Sequence, residues 1–214
     1  MKFGILGTGT VGKTIGTKLV SLGHDVKMGS RSANNERAIS WSKGNGKRAS
    51  HGTFADAAAF GDVLFNCTSG VGSLDALKMA GAGNLKGKIL VDIANPLDFS
   101  KGMPPTLTVC NTDSLGERIQ EQFPECKVVK SLNTMNAEIM VNPNLLAEEH
   151  TVFVNGNDKA AKTQVTDLLK TFGWRSVLDL GDITASRGVE MILPIWLRIL
   201  GATGTGKFNF RIVK

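Results

Sequence analysis

Apolar positions in this chain follow two periods. Lys2–Leu6 is a short apolar run, Val11, Ile15, Leu19 and Leu22 recur at helical spacing and stop at Gly23, and His24–Met28 reads as a second strand. Strand, glycine turn, helix and strand within about 30 residues predict a parallel βαβ crossover.

The alternation continues. The spacing predicts a helix over Glu36–Lys43, a polar and glycine-containing connection to residue 52, a short strand at Thr53–Phe54, a helical turn at Ala55–Phe60 and a strand at Asp62–Thr68. A helix over Leu74–Ala80 and a strand over Lys88–Ala94 follow, and Pro96 ends that strand because the residue before proline avoids the helical region. Beyond a loop rich in Pro and Thr, Ser114 starts a helix through Ile119, and Lys127–Leu132 forms a sixth strand. The remainder reads as a helix or irregular segment over Asn136–Leu146, a strand at Thr151–Val154, a helix over Asp158–Phe172 stopped by Gly173, a strand at Ser176–Leu180 and one long amphipathic helix over Thr184–Leu200. The expectation is an α/β fold: a Rossmann-type doubly wound parallel sheet over 1–132, and a small α/β extension over 133–214 that completes a second-substrate cleft.

Composition narrows the function classes. With 214 residues, 42% hydrophobic and 21% charged, the chain can bury one full core. The start at Met1-Lys2 carries no signal-peptide pattern, and the apolar run Met191–Trp196 is interrupted by Pro194, so a cytoplasmic protein outside the membrane is expected. Cys67, Cys110 and Cys126 form no CxxC pair and stand apart from His24, His51 and His150, which argues against a zinc site or disulfides. The charge of +6 is dispersed, with no basic-aromatic motif, so a small anionic ligand accounts for it without nucleic acid.

The chemistry sits in two short stretches. In Gly7-Thr8-Gly9-Thr10-Val11-Gly12 the first glycine permits a tight turn, the second lets backbone approach a pyrophosphate, and the third lets helix pack on strand. Amides at the following helix start would receive the diphosphate. An NAD site expects a carboxylate about 20 residues on, for the ribose hydroxyls; the chain has Gly29-Ser30-Arg31-Ser32 there, and Asp25 sits at the wrong end of its strand. A serine and an arginine suit a 2′-phosphate, so the expected cofactor is NADP. Thr68-Ser69 and Ala94-Asn95-Pro96, at the ends of the fourth and fifth strands, would border the nicotinamide, or serve as plain turns. No nucleophile motif, paired acid and base or metal cluster is visible, which fits hydride transfer by a cofactor.

The fingerprint Gly7–Gly12, Gly29–Arg31, Lys130-Ser131-Leu132-Asn133-Thr134 and the terminal Gly204-Thr205-Gly206-Lys207-Phe208, in this order and length, resemble the NADP oxidoreductases dependent on coenzyme F420, a deazaflavin. The resemblance implies that Thr8, Thr10 and Val11 join Gly7, Gly9 and Gly12 around the pyrophosphate and that Ser30 and Arg31 hold the 2′-phosphate. It also implies a second redox partner in a cleft walled by Asn133, Thr134 and Met135, by Met191 and Pro194, and by Gly204 and Gly206, with Asn133 and Thr134 as positioning candidates. The chain departs from these enzymes at Asn133, where they carry a histidine, and at Cys67–Gly70, where they have a bulkier wall. Its Asn-Thr pair is similar to the cytosolic reductase domain of membrane metalloreductases, which pass electrons from NADPH to flavin.

The expected activity is hydride transfer between NADP(H) and a flavin-like partner: coenzyme F420 first, FMN or FAD second. A small carbonyl or imine reductase and a non-enzymatic NADPH sensor remain alternatives. The helix with Ile192, Leu193, Ile195, Trp196 and Ile199 would pack the core or form a homodimer.

Overall fold

A computed structural model describes residues 1–213. The first half runs β1 (Lys2–Leu6), α1 (Thr10–Ser21), β2 (Asp25–Ser30), α2 (Glu36–Gly44), β3 (Ala49–Thr53), α3 (Phe54–Phe60), β4 (Val63–Asn66), α4 (Gly70–Ala80), a short α5 (Ala82–Leu85) and β5 (Ile89–Asp92). A small hairpin, β6 (Leu97–Asp98) and β7 (Thr106–Leu107), precedes α6 (Leu115–Gln122) and β8 (Lys127–Ser131). Then come α7 (Ala137–Val141), β9 (Thr151–Asn155), α8 (Lys159–Phe172), β10 (Ser176–Asp179), α9 (Ser186–Met191) and α10 (Leu193–Thr203).

The eight long strands form one sheet in the order β3-β2-β1-β4-β5-β8-β9-β10. The first six are parallel, β9 runs against β8, and β10 runs with β9. The C-terminal extension therefore continues the Rossmann sheet.

Period-two alternation sends neighbouring strand residues to opposite faces. Ile5, Val63, Phe65, Ile89, Val91 and Val129 pack with Ile15 and Leu19 of α1, Trp41 of α2, Ile139 of α7 and Val165 and Leu169 of α8. Leu6, Leu64, Leu90 and Val128 pack on the other face with Ala57 of α3, Leu77 of α4 and Ile119 of α6. Both faces are covered, as a parallel sheet requires.

Three expectations are corrected. The third strand is Ala49–Thr53, inside the stretch read as a polar connection, and Phe54 begins α3. Its sequence ASHGT is polar because it is a sheet edge, with His51 Nδ1 2.8 Å from Ser42 Oγ of α2. Thr53 ends it through a capping box: its hydroxyl accepts the Asp56 amide and Asp56 accepts the Thr53 amide. The helix read from Leu74 starts one turn earlier, at Gly70. The single helix over Thr184–Leu200 is a 3-10 turn at Ile183–Ala185 followed by two helices, α9 and α10. Pro194 lacks the N–H that would bond the Glu190 carbonyl and its ring crowds that oxygen, so it is accommodated in the first turn of a new helix. Among the described residues no helix is long and apolar enough to cross a membrane.

Close helix-on-strand packing has a test. A Cβ on Gly4 would lie 2.3 Å from the Ala57 carbonyl oxygen, whereas one on the exposed Gly188 of α9 meets nothing within 4 Å. Gly4→Ala is expected to lose about 1–3 kcal/mol in urea unfolding, and Gly188→Ala to be neutral or to gain up to about 1 kcal/mol. Equal values for the two would refute this account of the packing.

Candidate functional site

The carboxyl ends of β1, β2, β4 and β5 converge on one edge, where ligands bind in open α/β sheets. Gly7 leaves β1 with φ +127°, and its amide donates to the Gly29 carbonyl at 3.0 Å, seating the turn beneath the end of β2. A Cβ on Gly12 would lie 2.3 Å from the Gly7 carbonyl oxygen, so the fold itself excludes a side chain there. At Gly9 a Cβ meets nothing within 4 Å. That glycine answers no internal contact, and it keeps the start of α1 open to approach from outside.

The helices differ in how their N-terminal ends are satisfied. α2, α3, α6, α7 and α8 are capped by the side chains of Asn35, Thr53, Ser114, Asn136 and Asp158. α1 and α4 have no side-chain cap and no acidic residue in the first turn, a trait shared with α5, α9 and α10, which each follow directly on a preceding helix or 3-10 turn. At the start of α4 the Gly72 amide donates to the Ser69 carbonyl at 2.9 Å, and no side chain offsets the partial positive charge at either the α1 or the α4 end.

Between these two ends lies a cavity of about 190 Å³, lined by Gly7, Thr8, Ser30 and Arg31 on one side and Thr68, Ser69, Gly72 and Ala76 on the other, with Asn35 and Phe54 completing the ring. No carboxylate lines it. Ser30 is buried, and its hydroxyl donates to the Ser32 carbonyl and accepts the Ser32 amide, so it shapes the turn. Arg31 is exposed, with Nη2 3.9 Å from where a Cβ on Gly72 would stand, so it reaches across the mouth toward the first turn of α4. None of the ion pairs among the described residues involves it. Asp25 is paired with Arg48 at the opposite edge, at 3.2 Å. Asp56 is turned into the α3 capping box, where hydrogen bonds from the Thr53 hydroxyl and amide hold its carboxyl below the usual range.

Beside the cavity a buried polar network joins the strand ends. Asn66 Nδ2 donates to Asp92 Oδ1 at 2.7 Å and to the Ser73 hydroxyl at 3.1 Å, and its Oδ1 accepts the Thr68 hydroxyl at 2.6 Å. Lys130 Nζ lies 2.8 Å from Asp92 Oδ2 and 2.7 Å from Glu190 Oε1, and donates to the Ala94 carbonyl at 2.5 Å. Glu190 also accepts the Leu115 and Gly116 amides at the start of α6, at 2.9 and 3.0 Å. Burial opposes charge on Lys130, but Asp92 and Glu190 outweigh it and hold the ammonium above its ordinary range. Burial, with Asp92 nearby, pushes the Cys67 thiol far up, so it is no thiolate nucleophile.

The remaining site residues divide. Asn133 Nδ2 donates to Asn95 Oδ1 at 2.8 Å and to the Val189 carbonyl at 3.0 Å, and Asn95 Nδ2 donates back to the Asn133 carbonyl at 2.8 Å, clamping the β5 and β8 ends to α9. Pro96 is buried beside them. Thr134 and Met135 are also buried, and Met135 packs in the core. Gly206 accepts the Asn136 amide at 2.6 Å, while Trp196 stacks on Phe208 at 5.1 Å, folding the tail back onto α10. Met191, Pro194 and Gly204 are exposed and lie outside the cavity, while Thr10 and Val11 form the first turn of α1.

Sequence reasoning missed Asn35, Phe54, Gly72 and Ala76 in the cavity, and Asn66, Asp92 and Glu190 in the network; Lys130 entered only as part of a motif. The available signal was a charge at the end of an apolar strand, as in Ile89-Leu90-Val91-Asp92 and Lys127-Val128-Val129-Lys130.

Residues 2–96 match the family described as NADP oxidoreductase, coenzyme F420-dependent. The chain is 54% identical to a candidate F420-dependent NADP-reductase from Arthrobacter sp. FB24, whose crystal structure superposes with a TM-score of 0.97 and full coverage of both chains. It is 34% identical over 144 residues to the F420-dependent NADP reductase of Methanocaldococcus jannaschii, covering 65% of this chain and 62% of that one. It is 28% identical over 200 residues to the metalloreductase STEAP3 of Rattus norvegicus, covering 91% of this chain and 38% of the relative. The chain thus spans less than two thirds of the length of either curated relative.

The network has its own test. Lys130→Met would leave Asp92 and Glu190 buried without their shared cation, and is expected to cost about 3–5 kcal/mol in chemical denaturation. A loss below about 1 kcal/mol, the size of an exposed pair, would mean that the ammonium does not bridge the two carboxylates.

Proposed function

We propose, for a chain that belongs to the family of coenzyme F420-dependent NADP oxidoreductases, that it moves a hydride between NADP(H) and a flat, flavin-like partner, with the deazaflavin coenzyme first and an ordinary flavin second. One observation carries the reading: two uncapped helix ends and the unpaired Arg31 converge on a cavity without a carboxylate. That set fits a ligand with two separated anionic groups, a diphosphate at α1 and a 2′-phosphate between Arg31 and α4. It does not fit an unphosphorylated ribose, whose hydroxyls want an acceptor.

When bound, NADP(H) supplies the hydride chemistry. The chain supplies position. Gly9 and the α1 amides receive the diphosphate, Arg31 grips the 2′-phosphate, and the Asn95–Asn133 clamp fixes the spacing of the β5 and β8 ends beside the nicotinamide. The partner would be received on the side of α9, α10 and the Gly204–Phe208 tail.

A flavin-like ring spreads the charge it gains with the hydride and needs no side-chain acid. A carbonyl or imine substrate benefits from a proton donor. The lysine at this edge, Lys130, is fully buried and held between two carboxylates, which counts against that alternative. An ordinary flavin stands second because Asn133 occupies the place where deazaflavin enzymes carry a histidine.

The test is turnover of NADPH with the deazaflavin coenzyme and with FMN, alongside NADPH and NADH titrations of wild type and Arg31→Ala. Loss of a charge-assisted contact of 1.5–3 kcal/mol should weaken NADPH binding about 10- to 100-fold and leave NADH nearly unchanged. Equal binding of the two dinucleotides, unaffected by the substitution, would defeat the cofactor assignment. No turnover with either ring would defeat the partner.

A further inference from the structure

We propose that Glu190 is a positioning residue for the redox cleft: it holds the α9–α10 wall at a fixed distance from the β5 end through Lys130. The inference rests on the reading that this wall receives the second substrate.

α10 is poorly anchored by its own packing. Of its eleven residues only Leu193 is buried, and Ile195 is 51% exposed. At its start, Ile192 is itself helical, with φ −66° and ψ −26°, so the placement of α10 follows that of α9. α9 is anchored by the burial of Ser186, Val189 and Glu190.

The Glu190 carboxylate meets three donors at once: the amides of Leu115 and Gly116, and Lys130 Nζ. Lys130 in turn donates to the Ala94 carbonyl, next to the Asn95–Asn133 clamp. The path Ala94–Lys130–Glu190 thus runs from the nicotinamide side of the sheet to the helix that carries Met191 and leads into α10. Apolar residues of similar volume often replace a buried ion pair without loss of stability, so stability alone does not explain a carboxylate here. What it adds is a set direction and length: glutamine would turn an NH2 toward one of the three donors, and aspartate would fall one methylene short.

The experiment combines hydrogen exchange with steady-state kinetics on Glu190→Gln and Glu190→Asp. Amide exchange in α10 is expected to rise about tenfold in Glu190→Gln, with β1 and α1 unchanged. Because Lys130 keeps its pairing with Asp92, which holds the Asn66–Thr68 side of the cavity, the NADPH dissociation constant should change less, by no more than about threefold, than kcat/KM for the ring acceptor, which should fall about tenfold, with Glu190→Asp intermediate. NADPH binding and acceptor turnover falling together, or α10 exchange at the wild-type rate, would overturn the proposal. So would the failure of both variants to fold, since the role would then be structural. A wild type inactive with both rings would defeat the proposed function, while the exchange measurement would still decide the role of Glu190.

Discussion

The arrangement of the site depends on one buried cation held between two carboxylates. Lys130, Asp92 and Glu190 are each at most 1% exposed, and they come from β8, β5 and α9. Isolated charges at such depth are strongly disfavoured, so each requires the others. The three sum to one negative charge, and the start of α6 offsets it with two amides and the positive end of its dipole. Asp92 passes the constraint onward through Asn66 to Thr68, a wall of the cavity. Strand ends, cavity wall and C-terminal helices are therefore held in one register by hydrogen bonds that leave little freedom of direction.

The ligand site is the converse case, in which partners are withheld. The turn into α1 and the first turn of α4 border the same cavity, and among the described residues the cation beside them, Arg31, pairs with no acid. Five helices are capped by side chains; α1 and α4, each starting from a strand-end turn at this edge, are not, and such ends suit an anion. Of the carboxylates on β2 and α3, Asp25 is paired with Arg48 and Asp56 is held in the Thr53 turn.

Much of this was legible in the sequence. Alternating apolar runs marked the strands, and the glycine fingerprint with Gly29–Ser32 marked residues that meet at one cavity, because these signals are local. The edge strand Ala49–Thr53 was hidden by its polar composition, and the break at Pro194 by an amphipathic pattern that continues through it. Ser69 looks like a cap by residue type, yet its side chain does not cap α4. The ion triad could not be read as a unit: a charge at the end of an apolar strand marks Asp92 and Lys130 singly, but residues 92, 130 and 190 share no spacing, and only the folded sheet brings them together. Asn133 stood out as a cleft residue, but its amide is engaged with Asn95 and Val189, so it acts through the backbone it holds.

The central claim is that this edge selects a 2′-phosphorylated adenine nucleotide. It is tested most directly by calorimetric titration with adenosine 2′,5′-bisphosphate and with adenosine 5′-monophosphate, which differ only in that phosphate. The account predicts that the bisphosphate binds at least about tenfold more tightly, the size of one charge-assisted contact. Equal affinities would contradict it, because Arg31 and the open end of α4 would then have no 2′-phosphate to hold.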